Sequence, residues 1–377
     1  MEEYFISKAT LNSSNIDLAI QSALSKSSGA NGVFTFQITG NIWEPLCRWL
    51  RMDSRALSTT TISNRLSTWD IESLAEIHSL VPVKWVASKL TPFHTSWVPQ
   101  KIKNALRRIP GIRDFAYSIE YTFRQTGQPN IDPVASIADT YSIVLPARNE
   151  SGNEQLIRDA LDHIICHLPN SEVIFVEGNS SDNTWIMLNS VVSDYQEKLR
   201  ILLIKQEGRG KKNAVISGFS KATGSTLAII DTDFTVDILD SIRAIEYSSR
   251  LNGCFINCTR TVYPMEEGAM RWANYIGNRV FATLVSCLLC QNVSDSLCGT
   301  KIFTKHLYAS MLADGSWLSK TDPFGDFTVL FGASKYKYKI INYPVKYKSR
   351  FSGSPNISRW TDGLKLIRVC WHYFLSA

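Results

Sequence analysis

Nowhere in the 377 residues is there an apolar run of the roughly 18 residues that a membrane-spanning helix needs. The start, Met1-Glu2-Glu3-Tyr4, is acidic and lacks the basic-then-apolar order of a signal peptide. A protein kept in the cytoplasm is the expectation. No G-x-G-x-x-G occurs, which argues against a dinucleotide cofactor, and no Walker loop is formed, because position 205 is Lys and no Ser or Thr follows Lys211. Neither an internal repeat nor a low-complexity tract is visible. The eight cysteines are scattered. Cys287-x-x-Cys290 has zinc-knuckle spacing, but no second pair or His-x-His follows at ligand distance. Because the pair lies in an apolar stretch, buried reduced thiols are expected there.

What is present is a folded composition, 44% hydrophobic and 11% aromatic, at a length that favours two domains. The formal net charge of +6 hides an asymmetry: residues 335–377 hold nine Lys and Arg against the single acid Asp362. Such a tail suits phosphate, an anionic membrane surface or nucleic acid, or else forms a solvated basic face. The turn-rich residues 125–138 divide the chain near 135. Before them, Gly32–Gly40 reads as a strand, Ile42–Leu50 and Ile71–Leu80 as helices, and residues 100–114 as a basic, partly helical stretch.

After the divide the pattern alternates. Tyr141–Leu145, Val173–Val176, Ile201–Ile204 and Leu227–Ile230 read as strands. Between them lie helical stretches: one with Leu156, Ala160, Leu161, Ile164 and Ile165, then Trp185–Tyr195 and Lys212–Ala222. Alternating strands and helices predict an α/β fold with a parallel sheet, whose ligands bind at the carboxyl ends of the strands. Those ends are polar in a matching way: Pro146-Ala147-Arg148-Asn149-Glu150, Glu177-Gly178-Asn179-Ser180-Ser181-Asp182, Gly208-Arg209-Gly210-Lys211-Lys212-Asn213 and Asp231-Thr232-Asp233. Two carboxylates on alternate residues after an apolar strand suit Mg²⁺ or Mn²⁺ taken up with substrate phosphates, and the glycine loop offers N–H groups and cations to a diphosphate. Nucleic acid is not expected as a partner, since the aromatic residues follow apolar periodicity.

This ordered set resembles glycosyltransferase family 2 with its GT-A nucleotide-sugar fold, and within it the polyprenyl-phosphate sugar transferases related to dolichyl-phosphate mannose synthase. Further matches are Ser296-Leu297-Cys298-Gly299-Thr300-Lys301, Phe324-Gly325-Asp326-Phe327, Tyr347-Lys348-Ser349-Arg350 and Asn356-Ile357-Ser358-Arg359-Trp360. The resemblance covers about residues 140–370. It implies a GT-A domain over 139–350, followed by a basic, amphipathic segment over 351–377. Pro146, Ala147, Asn149, Glu150, Glu177, Asn179, Lys211, Asn213, Asp231 and Thr232 are then donor-binding, with Glu177 at the base. Asp231 and Asp233 hold the metal, Mg²⁺ or Mn²⁺. Arg260, Arg271, Arg350, Asn356 and Ser358 lie near the acceptor phosphate. Asp231, Asp233, Asp326 and Arg350 are the catalytic set; Asp326 has two readings, a base or acceptor-orienting group, or the partner of a nearby Arg. Two departures stand out: the family has a second acid where this chain has Gly178, and Lys212 replaces the second glycine of its loop.

The activity so implied is inverting transfer from a UDP- or GDP-sugar to a polyprenyl phosphate, by a peripheral protein at the cytoplasmic face of a membrane. The alternatives are transfer to a non-lipid acceptor, or nucleotide-sugar binding without catalysis. The apolar stretch Trp272–Cys290 is either an interface helix beside the basic tail or a core helix. More faintly, Asn64-Arg65-Leu66-Ser67, Asp70–His78 and Arg107–Tyr117 resemble the C-terminal half of a class I methyltransferase-like domain. Its cofactor loop is absent, so residues 1–135 are read as a truncated accessory domain of α+β type without methyl transfer.

Overall fold

A computed structural model describes residues 3–5, 33–39, 68–89 and 118–125 and, with short gaps, 140–351 and 365–373. Two compact units divide it: residues 1–130 with 261–265, and residues 131–260 with 266–377.

In the first unit, strands β1 (Glu3–Phe5), β2 (Val33–Thr39), β3 (Leu80–Lys89) and β4 (Ser118–Gln125) form a sheet in the order β1-β2-β4-β3. Helix α1 (Thr68–Ile77) buries Leu74 and Ala75, and Asp70 accepts a hydrogen bond from Thr261 Oγ1 at 3.0 Å. The strand expected at 32–40 is there as β2. The helix expected to reach Leu80 stops at Ile77, because Leu80 already pairs with Gln125 in the sheet. The helices expected at 42–50 and 100–114, Asn64–Ser67 and Arg107–Tyr117 lie outside the described residues.

The second unit is an α/β domain. Strands β5 (Tyr141–Ala147), β6 (Ser171–Glu177), β7 (Arg200–Lys205), β8 (Thr226–Ile229), β9 (Cys254–Thr259), β10 (Lys301–Thr304) and β11 (Lys339–Pro344) form one sheet, ordered β11-β9-β10-β8-β5-β6-β7. Only β10 runs antiparallel to its neighbours, so the expected mostly parallel sheet is present. The central strands are apolar throughout because both faces are covered. Ile143, Leu145, Val173 and Phe175 point into one cluster with Ile157, Leu161 and Ile164 of α2 (Glu154–His167), Leu188 of α3 (Thr184–Tyr195) and Ile242 of α5 (Ile238–Ser249). Their neighbours Val144, Ile174 and Val176 face the other cluster. There they meet Val215 of α4 (Lys211–Lys221), Val285 of α6 (Trp272–Leu289), Met311 of α7 (Lys305–Asp314) and Phe331 of α8 (Asp326–Lys335).

The chain runs from β5 outward to β6 and β7, then returns to the other side of β5 as β8. The switch point therefore lies between the carboxyl ends of β5 and β8, where a ligand crevice opens in such sheets. Close packing of α4 fixes that crevice. Gly218 leaves no room for a Cβ, which would collide with Val144 Cγ1 and approach Val176 Cγ2 to 3.1 Å. Gly218→Ala should thus lower unfolding free energy by about 1–3 kcal/mol, overpacking outweighing the helix propensity gained. Urea denaturation showing equal or greater stability would contradict this packing account.

Candidate active site

The polar strand ends meet at the switch point. Beyond β5, the N–H of Asn149 donates to Ser180 Oγ at 3.0 Å and Asn149 Oδ1 accepts from the Ser181 N–H at 2.9 Å. The Glu150 N–H donates to Thr184 Oγ1 at 2.8 Å. These bonds lace the first two strand-end loops together. Asn149 and Asn179 both have positive φ (58° and 57°), a conformation that Asn tolerates better than most residues. Glu177 is buried, and its Oε1 accepts from the Ser180 N–H at 2.5 Å, so it shapes its own turn. A Cβ at Gly178 would stand 3.1 Å from Arg148 Cβ and 3.2 Å from the Ala147 carbonyl, so a second acid there would need these neighbours to shift. Asn179 Nδ2 reaches the Gly208 carbonyl at 3.5 Å.

The glycine loop turns into α4 through Gly208 and Gly210 at φ 83° and 88°, and Asn213 Nδ2 braces it on the Arg209 carbonyl at 2.8 Å. The first residue of α4, Lys211, lies between two acids: Nζ is 2.6 Å from Asp231 Oδ1 and 3.2 Å from Asp326 Oδ2. Burial pulls the ammonium pKa down, but the two carboxylates outweigh it and hold Lys211 above its usual range. Burial likewise pushes Asp231 up, and Lys211 first, then Arg260 and Arg350, bring it below the usual carboxylate range. Asp326 pairs with this lysine and not with an arginine. Gly299 completes the contact, because a Cβ there would collide with both the Asp231 carboxylate and Lys211 Nζ.

The rest of the acidic pair is equally committed. Thr232 Oγ1 donates to the Pro146 carbonyl at 2.6 Å, tying the end of β8 to β5. Asp233 Oδ1 accepts from the N–H and Oγ1 of Thr235 at 3.1 and 2.9 Å, and Oδ2 pairs with Arg350 Nη2 at 2.5 Å. Phe234, next in the turn, has φ 45°, a strained conformation for a bulky residue. Arg350 arrives on a pinned arm. Tyr347 bridges to Val236, the Lys348 N–H donates to the Thr235 carbonyl at 2.7 Å, and the N–H and Oγ of Ser349 donate to Glu266 Oε2 at 2.8 and 2.9 Å.

Among the described residues, the acids Glu150, Asp231, Asp233 and Asp326 outnumber the cations paired with them, Lys211 and Arg350. Burial, and then repulsion from Asp233, push Glu150 up to about 7, against the opposing hydrogen bond from Asn153 Nδ2. Burial, opposed by Lys211 and reinforced by Asp231, pushes Asp326 up to about 6. Asp326 Oδ1 is buried with no hydrogen-bond partner. Among the described residues no three His, Cys, Asp or Glu side chains cluster as metal ligands. Two hard carboxylates in a surplus of negative charge nevertheless fit Mg²⁺ or Mn²⁺, which take one or two protein carboxylates and complete their shells with water and phosphate oxygens.

Of the residues expected at an acceptor phosphate, Arg350 is in this cluster. Arg260 is partly buried: its Nε and Nη2 are 2.7 and 3.0 Å from Asp295 Oδ2 and Oδ1, and its guanidinium lies 4.9 Å from the centroid of the Tyr347 ring. Arg271, Asn356 and Ser358 lie outside the described residues. Sequence reading missed Asp295 and Thr235, neither of which carries a periodic signal, and gave the buried Lys301 only as the end of the Ser296–Lys301 match, without a role. Cys287 and Cys290, expected to be buried, are exposed. They lie at the end of α6, which buries Asn278, Ala282, Val285 and Leu289 and turns Ile276, Val280 and Leu284 outward. Among the described residues no helix is long and apolar enough to cross a membrane.

The raised carboxyl pKa of Glu150 gives a signed pH dependence. The folded state holds this proton more tightly than the unfolded chain, so the contribution is full below about pH 4.5 and is lost as pH rises to about 7. Glu150→Gln should flatten the fall in stability across that window, measured as denaturation midpoints at pH 4.5 to 8. An unchanged pH profile would contradict the buried, repelled state of Glu150.

Residues 142–311 match the model for glycosyl transferase family 2. Over 247 residues the chain is 22% identical to the low-salt glycan biosynthesis hexosyltransferase Agl6 of Haloferax volcanii, covering 62% of this chain and 54% of that one. It is 29% identical over 92 residues to the dolichol-phosphate mannosyltransferase of Pyrococcus furiosus, covering 24% and 25%. With the dolichyl-phosphate beta-glucosyltransferase of Dictyostelium discoideum it shares 24% over 191 residues, covering 47% and 57%. The chain spans about half the length, or less, of these relatives. Among solved structures, glucosyl-3-phosphoglycerate synthase from Mycobacterium tuberculosis, in complex with Mn²⁺, UDP and glucosyl-3-phosphoglycerate, is 19% identical with a TM-score of 0.45, covering 66% of this chain and 84% of that one. The match to glycosyl transferase family 2 falls on residues 142–311, the segment that carries the Asp231-Thr232-Asp233 turn.

Proposed function

We propose that this chain is a metal-dependent glycosyltransferase that moves a sugar from a UDP- or GDP-sugar to a polyprenyl phosphate, with inversion, as a peripheral protein at the cytoplasmic face of a membrane. The observation that carries the reading is the pairing of Asp233 with Arg350 and of Asp231 with Lys211 at one switch point. In it, Asp231 and Asp233 hold Mg²⁺ or Mn²⁺, which when bound would neutralise charge on the donor diphosphate. Pro146, Ala147, Asn149, Glu150, Asn179, Thr232 and the Gly208–Asn213 loop line the donor side, with Glu177 supporting the turn that meets the base. Lys211 and Arg350 are cations at hand for phosphate oxygens, and Arg260, through its place beside Tyr347, supports the acceptor side.

A phosphate acceptor is already nucleophilic, so positioning and electrostatic stabilisation supply most of the rate. Relatives named as dolichol-phosphate and dolichyl-phosphate transferases support the lipid acceptor. So does the outward apolar face of α6, with Val280 63% exposed, together with the exposed Ile367, Arg368 and Trp371 near the C-terminus, a composition suited to a lipid interface. A hydroxyl acceptor is the second reading. It is favoured by Asp326 Oδ1, a buried carboxylate oxygen without a partner, which could take the proton that a hydroxyl must lose. Residues 1–135 are read as an accessory domain.

Nucleoside diphosphate release from a panel of UDP- and GDP-sugars, with Mg²⁺ or Mn²⁺ and with or without polyprenyl phosphate, tests this. Release should need one donor, the metal and the lipid. Release with a soluble alcohol acceptor instead would select the hydroxyl reading, and donor binding without release would point to a non-catalytic protein. Asp233→Ala should lower kcat/KM by roughly a hundredfold or more. Wild-type turnover in that variant would remove the metal assignment.

A further inference from the structure

The carboxylate of Asp295 is fully buried and collects five donors. Oδ2 accepts from Arg260 Nε at 2.7 Å and from the Arg260 N–H at 3.1 Å. Oδ1 accepts from Arg260 Nη2 at 3.0 Å, Asn278 Nδ2 at 2.7 Å and the Leu297 N–H at 3.0 Å. One side chain thus joins the end of β9, helix α6 and the loop that leads to β10. A buried ion pair is weak evidence for stability, because desolvation offsets most of the attraction and apolar replacements often serve as well. Its use must then be geometric, and the geometry leads to the active site.

Two routes lead from Asp295 towards the acidic turn. The first is the 295–301 loop, which brings Gly299 against Asp231 and Lys211. That loop has a second anchor: the buried Lys301 Nζ lies 2.5 Å from both Asn257 Oδ1 and the Cys298 carbonyl. The second route is Arg260, whose guanidinium carbon lies over the Tyr347 ring, 4.9 Å from its centroid. Tyr347 opens the arm that is pinned residue by residue, at Val236, Thr235 and Glu266, and ends with Arg350 on Asp233.

We propose that Asp295 is a positioning residue that, by fixing Arg260 against Tyr347, presets the arm carrying Arg350 to the Asp233 carboxylate. The inference rests on the transferase reading above and names a residue that acts through Arg350 without touching substrate.

A double-mutant cycle with Asp295→Asn and Arg350→Lys tests it, because residues that act through one another give losses that do not multiply. Asp295→Asn should lower kcat about tenfold while the donor KM stays within about twofold. The double variant should stay within about threefold of Arg350→Lys alone. Losses that multiply would overturn the proposal, whatever happens to the melting temperature. Should Asp295→Asn fail to fold, Tyr347→Leu takes its place in the cycle. It removes the ring and leaves Asp295, and Tyr347→Phe, which keeps the ring, should restore kcat; a phenylalanine variant as slow as the leucine one overturns the linkage. An unfolding cycle on the same proteins needs no substrate. Midpoint shifts that fall short of additive, with no turnover even in the wild type, would keep the linkage and remove the transferase reading, whereas additive shifts would remove the linkage.

Discussion

Lys211 Nζ between Asp231 and Asp326 is the contact on which the site depends. Three elements, α4, the turn after β8 and α8, bring one charge each to a place where burial disfavours every one of them singly. Lys211 favours the ionised form of both carboxylates, and they favour its charged form. The same logic fixes the glycines around them: Gly210 starts α4 at a positive φ, Gly299 makes way for the pair, and Gly325 enters α8 at φ 82° beside Lys212. Arg350 on Asp233 repeats the device with a guanidinium brought by an arm that the sheet does not itself supply.

This balance leaves negative charge in excess, and the excess is informative. Glu150 at about 7 and Asp326 at about 6 are carboxyls that the fold holds near the point of taking up a proton. A centre of this kind gains most from a ligand that brings positive charge together with phosphate oxygens, which is what a divalent cation with a nucleoside diphosphate offers. A second charged group adjoins it: the buried Asp295, Lys301, Asn257 and Asn342 form a polar layer with the partly buried Arg260, the two asparagines joined at 2.9 Å. Such layers are demanding, because each member must be satisfied. That demand makes them good at holding one geometry.

Much of the second unit was legible. Strands β5 to β8 and helices α2 to α4 follow from apolar runs and helical spacing, since a strand covered on both faces leaves an uninterrupted signature such as Ser142-Ile143-Val144-Leu145. The strands β9, β10 and β11 were not read. β9 carries Asn257 in its centre, satisfied by Asn342 of β11, Lys301 of β10 and the Asp295 carbonyl, and β10 is four residues long. The exposed Cys287 and Cys290 contradict a rule that apolar neighbours mean burial. Helix α6 is apolar on both faces, and only its packing tells which one is covered.

By itself the sequence determined the order and chemistry of the strand ends: the Asn149-Glu150 turn, the Gly208–Lys211 loop and the Asp231-Thr232-Asp233 turn each follow an apolar run that forces a strand. Asp326 and Arg350 were placed near them only by the family resemblance. Only the tertiary structure decided the partners. Lys211 meets Asp326 across 115 residues of chain, Asp326 takes a lysine where an arginine was one reading, and Arg260 turns from the expected phosphate side to Asp295. Pairing in a low-dielectric crevice is set by which elements the sheet order brings within about 3 Å, and no spacing along the chain encodes that distance.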